Sequence, residues 1–191
     1  MTNGTPAQDR PPARKGSIYV CPLSAVPEVV AACSASHLVT LLQDEIVVDT
    51  PSLIQPELHV RLHVHDIAGH IDGYIAPGEE HIARLIEFAQ AWNGAGPMVI
   101  HCWAGISRST AAAFISLCAL NPNASERAIA RRLREASPTA QPNRLMIRLA
   151  DAALARSGRM VHAVEAMGRA ASAYEARPFS LPADMSDLRR A

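Results

Sequence analysis

The sequence predicts an α/β fold in which a central, mostly parallel sheet of about four to five strands is flanked by helices. Three observations support this prediction. Residues 17–42 have the pattern of strand, helix and strand, residues 57–65 alternate between apolar and polar side chains, and a helical pattern from residue 79 precedes an apolar strand ending near residue 102. Strands joined through helices form parallel sheets with right-handed crossovers. With 191 residues, the chain suits one domain with a sizeable core.

The first half of the chain gives a local reason for each element. Ile18–Cys21 and residues 37–42 are short apolar runs typical of buried strands. Residues 26–33 form a short helix between them, and the proline-containing stretch 43–56 predicts an irregular connection. In residues 57–65, the period-two alternation predicts a strand with one face on the core.

The second half is mainly helical. Acidic residues after Pro77 and Gly78 suit the positive N-terminus of a helix. Residues 110–120 are apolar on nearly every side and predict a buried helix. Three more helices are predicted, from Ser125, over 145–156 and over 159–174. We assign residues 1–15 to a disordered segment, 16–178 to a single domain with an extra C-terminal helix in 158–178, and 179–191 to a tail.

Composition narrows the classes of partner. The formal net charge is zero, so bulk charge predicts no nucleic acid and no membrane partner, and the sequence has no apolar run long enough to span a bilayer. The four cysteines have neither metal spacing nor the density of a disulfide scaffold. We therefore expect a cytoplasmic protein. Lys15 is the single lysine beside many arginines, which we interpret as the composition of a bacterial protein.

One stretch carries the chemistry. An apolar strand ends at Cys102, a short loop follows, and Arg108 opens the next helix. The backbone N–H groups of such a loop and of the helix N-terminus bind oxyanions, and an arginine fork grips two phosphate oxygens. Positive surroundings favour a cysteine thiolate, which is the nucleophilic form. Gly105 permits a turn that a side chain would obstruct. The candidate phosphate-binding residues are Trp103, Ala104, Gly105, Ile106, Ser107 and Arg108.

The order His101-Cys102-x-x-Gly105-x-x-Arg108-Ser109 resembles the signature of the cysteine-dependent protein tyrosine phosphatases, and is most similar to the dual-specificity branch. The resemblance covers roughly residues 17–157 and implies the phosphotyrosine protein phosphatase fold. It also implies hydrolysis of phosphomonoesters in proteins without any cofactor or metal, through a cysteinyl-phosphate. Phosphorylated proteins or peptides are the expected partners, and phosphate, sulfate or vanadate the expected ligands. The oligomeric state is left open.

The resemblance assigns roles around the nucleophile. Ser109 would stabilise the sulfur of Cys102 as a leaving group, and His101 would orient the loop. A general acid is expected on a loop after a strand, some thirty-odd residues before the cysteine, because an alcohol oxygen leaves poorly unless it is protonated. Asp66 matches this position, and Asp72 on the same segment is the alternative.

Asn143 follows Gln141-Pro142 in a turn before a predicted helix. By resemblance it would steady the active-site loop. It could equally cap the helix that follows, since asparagine is a favoured N-cap residue.

Four alternatives remain open. A phosphatase of inositol or small-molecule phosphates is disfavoured because the variable loop positions carry no basic residue. A non-catalytic phosphate-binding module would keep the loop but lack a working acid. Thiol redox chemistry would need a resolving cysteine, for which Cys21 is the candidate. Finally, His63 and His65 share one strand face and could hold a divalent ion, although a solvated face explains them as well.

Overall fold

A computed structural model describes residues 16–92, 94 and 96–188. The disordered segment predicted for residues 1–15 lies outside the described residues. One five-stranded sheet forms the centre of the molecule. Its strands are β1 (Ser17–Pro22), β2 (His37–Leu42), β3 (His59–His63), β4 (Met98–Cys102) and β5 (Phe179–Pro182). The helices are α1 (Val26–Cys33), α2 (Glu79–Ala91), α3 (Arg108–Leu120), α4 (Glu126–Ala136), α5 (Arg144–Ala153) and α6 (Arg159–Glu165).

The order of the strands is β3-β2-β4-β1-β5. The first four are parallel, and β5 runs antiparallel to β1 at the edge. The predicted fold class, a mostly parallel sheet flanked by helices, is therefore confirmed. Strand β4 lies between β2 and β1, and all five of its residues are buried. Cys102 is the last residue of β4 and therefore lies at the carboxyl ends of the parallel strands, where ligand sites of α/β proteins lie.

Helices cover both faces of the sheet. A smaller apolar cluster, which includes Cys21, packs the sheet against α1. A larger cluster, which includes Cys102 and the α3 residue Phe114, fills the opposite face under the remaining helices. Helix α3 is buried along most of its length, as its uniformly apolar sequence predicts. No helix of the described residues is long and apolar enough to cross a membrane.

The C-terminal part departs from prediction. The helix expected over residues 159–174 ends at Glu165, because Ala166 terminates it and Gly168 has a φ of +67° that a right-handed helix does not accept. Residues beyond it run in irregular structure, where Ala171 N–H donates to the carbonyl of Pro138. The tail then adds β5 to the sheet. The assignment of residues 16–178 to one domain remains a prediction.

Candidate active site

The nucleophile candidate lies at a junction of strand, loop and helix. Cys102 ends β4 and is 2% exposed, and α3 begins at Arg108. The Sγ atom of Cys102 lies 3.1 Å from the Oγ atom of Ser109. The buried hydroxyl of Ser109 is therefore within hydrogen-bonding distance of the sulfur.

The loop of residues 103–107 is held by its carbonyl groups. Four of these accept hydrogen bonds from backbone N–H groups of other segments. In each peptide plane the N–H points away from the C=O, so carbonyls that are turned outward leave the following amides to face the cavity. The bonds are Leu23 to Trp103 at 3.0 Å, Ala176 to Ala104 at 2.8 Å, Gln141 to Ile106 at 2.9 Å and Asn143 to Ser107 at 3.4 Å.

Gly105 has a backbone reason to be glycine. Its φ is +72°, and a Cβ atom at this position would lie 2.8 Å from the nitrogen of Pro22 and 2.9 Å from the carbonyl carbon of Cys21. The loop thus packs directly against the end of β1, at a distance that a side chain would prevent.

Arg108 points toward the cavity from the first turn of α3. Its side chain is 6% exposed, and Nη1 donates to the carbonyl oxygen of Val64 at 2.8 Å. Its Nε atom is buried without a hydrogen-bond partner among the described residues, 3.9 Å from Oδ2 of Asp66. A buried donor of this kind is available to an anion in the cavity.

Asp66 lies directly against the loop. Its Oδ1 atom accepts hydrogen bonds from the hydroxyl of Ser107 at 2.7 Å and from the side-chain amide of Asn143 at 2.9 Å. Asp72, the alternative acid, is fully exposed and contacts His70 at 3.0 Å. Of the two carboxylates, Asp66 is the one that lines the cavity of Cys102.

Asn143 makes both of the contacts considered for it. Its Oδ1 atom accepts from the N–H groups of Leu145 and Met146 at 3.1 Å, which caps α5. Its side-chain amide donates to Asp66, and its backbone N–H donates to Ser107. One residue therefore connects the start of a helix, the loop and the acidic side chain.

The cavity has a volume of about 470 Å³. Its walls are mainly apolar, with Trp103 nearly half exposed at the rim. Among the residues that line it, Arg108 is the one cation. The lining residues are Gln43, Ile46, Asp66, Cys102, Trp103, Ala104, Ile106, Ser107 and Arg108.

His101 lies behind the loop and is completely buried. Burial lowers its pKa to about 4, and the positive charge of Arg108 adds to this effect. The imidazole is therefore neutral at pH 7. Its Nδ1 atom lies 3.4 Å from the carbonyl oxygen of Cys102, and its Nε2 atom 2.7 Å from the hydroxyl of Thr40.

The two histidines considered as metal ligands have other contacts. His63 lies 2.7 Å from the carboxylate of Asp44, and the ring of His65 packs on Tyr74 with centroids 4.8 Å apart. Within the part of the chain that the structure describes, no group of three or more histidine, cysteine or acidic residues is arranged to hold a metal ion.

Cys21 is poorly placed as a redox partner. It pairs with His101 across the strands and belongs to the core cluster under α1, whereas Cys102 belongs to the cluster on the opposite face. Burial raises the pKa of the Cys21 thiol to about 12. A thiol that stays protonated and faces away from Cys102 is a poor resolving cysteine.

Sequence reasoning missed several residues around the site. Thr40 and His59 contact each other at 2.7 Å behind His101, and Val64 holds Arg108 through its carbonyl. Gln43 and Ile46 line the cavity from the connection after β2. The alternation in residues 57–65 places His59 on the polar face of a strand. The sequence does not show that β2 lies between β3 and β4, which is what brings His59 and Thr40 together.

Comparisons with known proteins agree with this geometry. A profile of the protein-tyrosine phosphatase family matches residues 60–138, which include the loop and Asp66. A search of curated protein sequences gives no match.

Solved structures with the same fold include dual-specificity phosphatases. DUSP15 superposes with a TM-score of 0.59 at 18% identity, covering 82% of this chain and 93% of its own. A human tyrosine phosphatase-like serine/threonine/tyrosine-interacting protein gives 0.57 at 17% identity, over 73% and 92%. A mouse dual specificity phosphatase complexed with zinc tungstate gives 0.52 at 17% identity, over 87% and 98%. At identities this low, the superpositions establish the shared fold alone.

Proposed function

We propose that this chain is a cysteine-dependent protein tyrosine phosphatase that removes phosphate from phosphotyrosine, and also from phosphoserine and phosphothreonine, in proteins; the family profile over residues 60–138 and the fold shared with DUSP15 support this proposal. The observation that carries the proposal is the convergence of Cys102, Arg108 and Asp66 on one cavity, with Ser109 at 3.1 Å from the sulfur. A nucleophile, a phosphate-binding cation and an acid are the groups that phosphoryl transfer to a thiolate requires.

In the first step, the Cys102 thiolate attacks phosphorus and a sulfur–phosphorus bond forms as the bond to the leaving oxygen breaks. Asp66 gives its proton to that oxygen, which departs as a neutral alcohol. Arg108 and the loop amides bind the three equatorial oxygens, over which the transition state spreads its negative charge.

In the second step, water attacks the cysteinyl-phosphate. Asp66, now a carboxylate, accepts a proton from the water, and the sulfur–phosphorus bond breaks to release inorganic phosphate. The Ser109 hydroxyl donates a hydrogen bond to the departing thiolate. His101 remains neutral and positions the loop, while Asn143 positions Asp66.

The walls of the cavity support a substrate with one phosphate on an aromatic alcohol. Ile46, Trp103 and Ile106 are apolar and suit a phenyl ring, and Arg108 is the single cation among the lining residues. An inositol phosphate with several phosphates would place additional negative charge against these apolar walls, which is unfavourable. This contrast favours phosphotyrosine.

We place the protein in a reducing compartment, the cytoplasm. A thiolate nucleophile is lost on oxidation, and all four cysteines are unpaired thiols. A bacterial source remains a prediction from the composition of the chain.

The test compares hydrolysis of para-nitrophenyl phosphate and of a phosphotyrosine peptide in EDTA. Cys102→Ser should abolish both activities. Asp66→Asn should reduce peptide hydrolysis by about 10²–10⁴-fold, and the reaction with the better nitrophenolate leaving group less. Asp72→Asn is the matched control and should change neither rate.

Two results would overturn the proposal. Wild-type protein that binds vanadate without hydrolysing either compound would instead be a phosphate-binding module. Equal losses in Asp66→Asn and Asp72→Asn would void the assignment of the acid.

A further inference from the structure

A row of buried hydroxyl and imidazole groups lies behind the loop and crosses three neighbouring strands. The hydroxyl of Thr40 in β2 is 2.7 Å from Nε2 of His101 in β4 and 2.7 Å from Nε2 of His59 in β3. The three residues are 4%, 0% and 6% exposed. Polar groups buried this deeply need hydrogen-bond partners, and Thr40 supplies one to each of the two imidazoles.

The row continues to the protein surface. The other nitrogen of His59, Nδ1, is 2.9 Å from the hydroxyl of Thr50. The guanidinium of Arg61 donates from Nη2 to that hydroxyl at 2.8 Å and to the carbonyl of Val48 at 3.0 Å. A permanent positive charge therefore stands at the outer end of the row.

The donor and the acceptor of every hydrogen bond in the row follow from its inner end, where His101 meets the carbonyl of Cys102. The carbonyl of Cys102 can only accept, so the proton of neutral His101 is on Nδ1, and Nε2 accepts from Thr40. A threonine hydroxyl has one proton, so Thr40 in turn accepts from Nε2–H of His59. The Nδ1 atom of His59 must then accept from Thr50.

The outer end agrees with this direction, since a guanidinium only donates and the oxygen of Thr50 accepts from Arg61. Both imidazoles must be neutral for the row to hold, and burial lowers the pKa of each to about 4. All the dipoles thus point with their positive ends toward the backbone carbonyl of Cys102, and aligned hydrogen bonds polarise one another.

We propose that Arg61, Thr50, His59 and Thr40 are positioning residues that fix His101 as its Nδ1–H tautomer and direct a positive dipole at Cys102, favouring its thiolate. This inference deepens the phosphatase function and rests on the use of Cys102 as a nucleophile. It assigns a role to four residues that neither contact the cavity nor belong to the loop.

The test measures the rate at which iodoacetamide alkylates Cys102 as a function of pH, which reports the thiolate directly and needs no phosphatase activity. The comparison uses Cys102→Ser to subtract alkylation of other thiols. The titratable and charged groups near Cys102 are Arg108 and Asp66 in the cavity, His101 in β4 and Cys21 in β1, and all stay unchanged in the variants below.

Thr40→Val replaces the central hydroxyl by a methyl group of the same shape. We expect the midpoint of the alkylation profile to rise by about half a pH unit to one unit, with kcat for para-nitrophenyl phosphate reduced several-fold and KM little changed. Thr40→Ser keeps the hydroxyl and should restore the wild-type midpoint. Ser116→Ala, which removes a buried hydroxyl elsewhere in the core, is the matched control and should leave the midpoint in place.

Thr50→Val provides an independent test at a half-buried position, where folding is less at risk. It cuts the row at its outer end and should raise the midpoint in the same direction by a smaller amount. The proposal is wrong if Thr40→Val and Thr50→Val both keep the wild-type midpoint. A shifted midpoint in a protein without hydrolase activity would support the proposal and contradict the proposed function, so the two failures are distinguishable.

Discussion

Replacing Gly105 by alanine tests how closely the loop geometry controls catalysis. A Cβ atom at this position would lie 2.8 Å from the nitrogen of Pro22 and 2.9 Å from the carbonyl carbon of Cys21. Ordinary van der Waals contact begins at 3.4 Å, so the loop must retreat by about 0.6 Å. The backbone of β1 cannot yield easily, because it is hydrogen-bonded on both sides, to β4 and β5.

The size of the effect follows from this displacement. Misplacing reacting groups by about 1 Å can cost roughly 100-fold in rate, so a shift of about 0.6 Å should lower kcat/KM by roughly 10-fold or more. The φ of +72° adds a conformational cost of about 1–2 kcal/mol for any residue with a Cβ.

Gly168 supplies the matched control. It has a φ of +67°, and nothing lies within 4 Å of a Cβ built there. Gly168→Ala should therefore pay the conformational cost alone, lowering the melting temperature by about 2–8 °C with unchanged activity. The assay is kcat/KM for para-nitrophenyl phosphate together with thermal unfolding. If Gly105→Ala retains wild-type kcat/KM, the reasoning from close packing is refuted.

Three further predictions concern stability and pH. Glu126 is buried, and its carboxylate lies 3.3 Å from one arginine and 3.2 Å from another. Glu126→Gln should therefore lower the free energy of unfolding in urea by about 3–5 kcal/mol. Glu135→Gln, which changes an exposed ion pair, is the control and should lower it by at most about 1 kcal/mol. Burial lowers the folded-state pKa of His59 and His101 to about 4, below the ordinary 6.5, so the free energy of unfolding should be highest above pH 6.5 and should fall as the pH is lowered toward 4. A free energy of unfolding in urea that stays constant over this pH range would contradict the prediction. Asn143→Ser should keep a cap on α5 and hence the melting temperature, but it lacks the amide that donates to Asp66 and should slow catalysis by about 10-fold, whereas Asn143→Ala should also lose about 1 kcal/mol of stability.

The sequence predicted best what a single segment builds. Cys102, Arg108 and Ser109 lie on one strand, loop and helix, so their proximity follows from local chain geometry. Asp66 required the family resemblance, since its distance along the chain says nothing by itself about its distance in space. That distance depends on the position of β3 in the sheet relative to β4, which the sequence pattern does not determine.

Long-range arrangement was harder to predict. The contacts of His59 with Thr40 depend on the order of β3, β2 and β4, which the pattern of apolar residues leaves open. The length of α6 was overestimated because apolar residues continue past Gly168, whose positive φ decides the end of the helix. Backbone conformation at one glycine outweighed hydrophobic periodicity there.

The antiparallel strand β5 has a consequence for the order in which the chain folds. It pairs Phe179 with Val20 and Leu181 with Ile18, joining the first described strand to the last. During synthesis, β1 can pair with β4 on one side while its other edge stays open until residue 182 has left the ribosome. Open edges invite pairing with other chains. A nascent or truncated chain that lacks β5 should therefore be prone to aggregation, and the final strand acts as a protective cover for the edge.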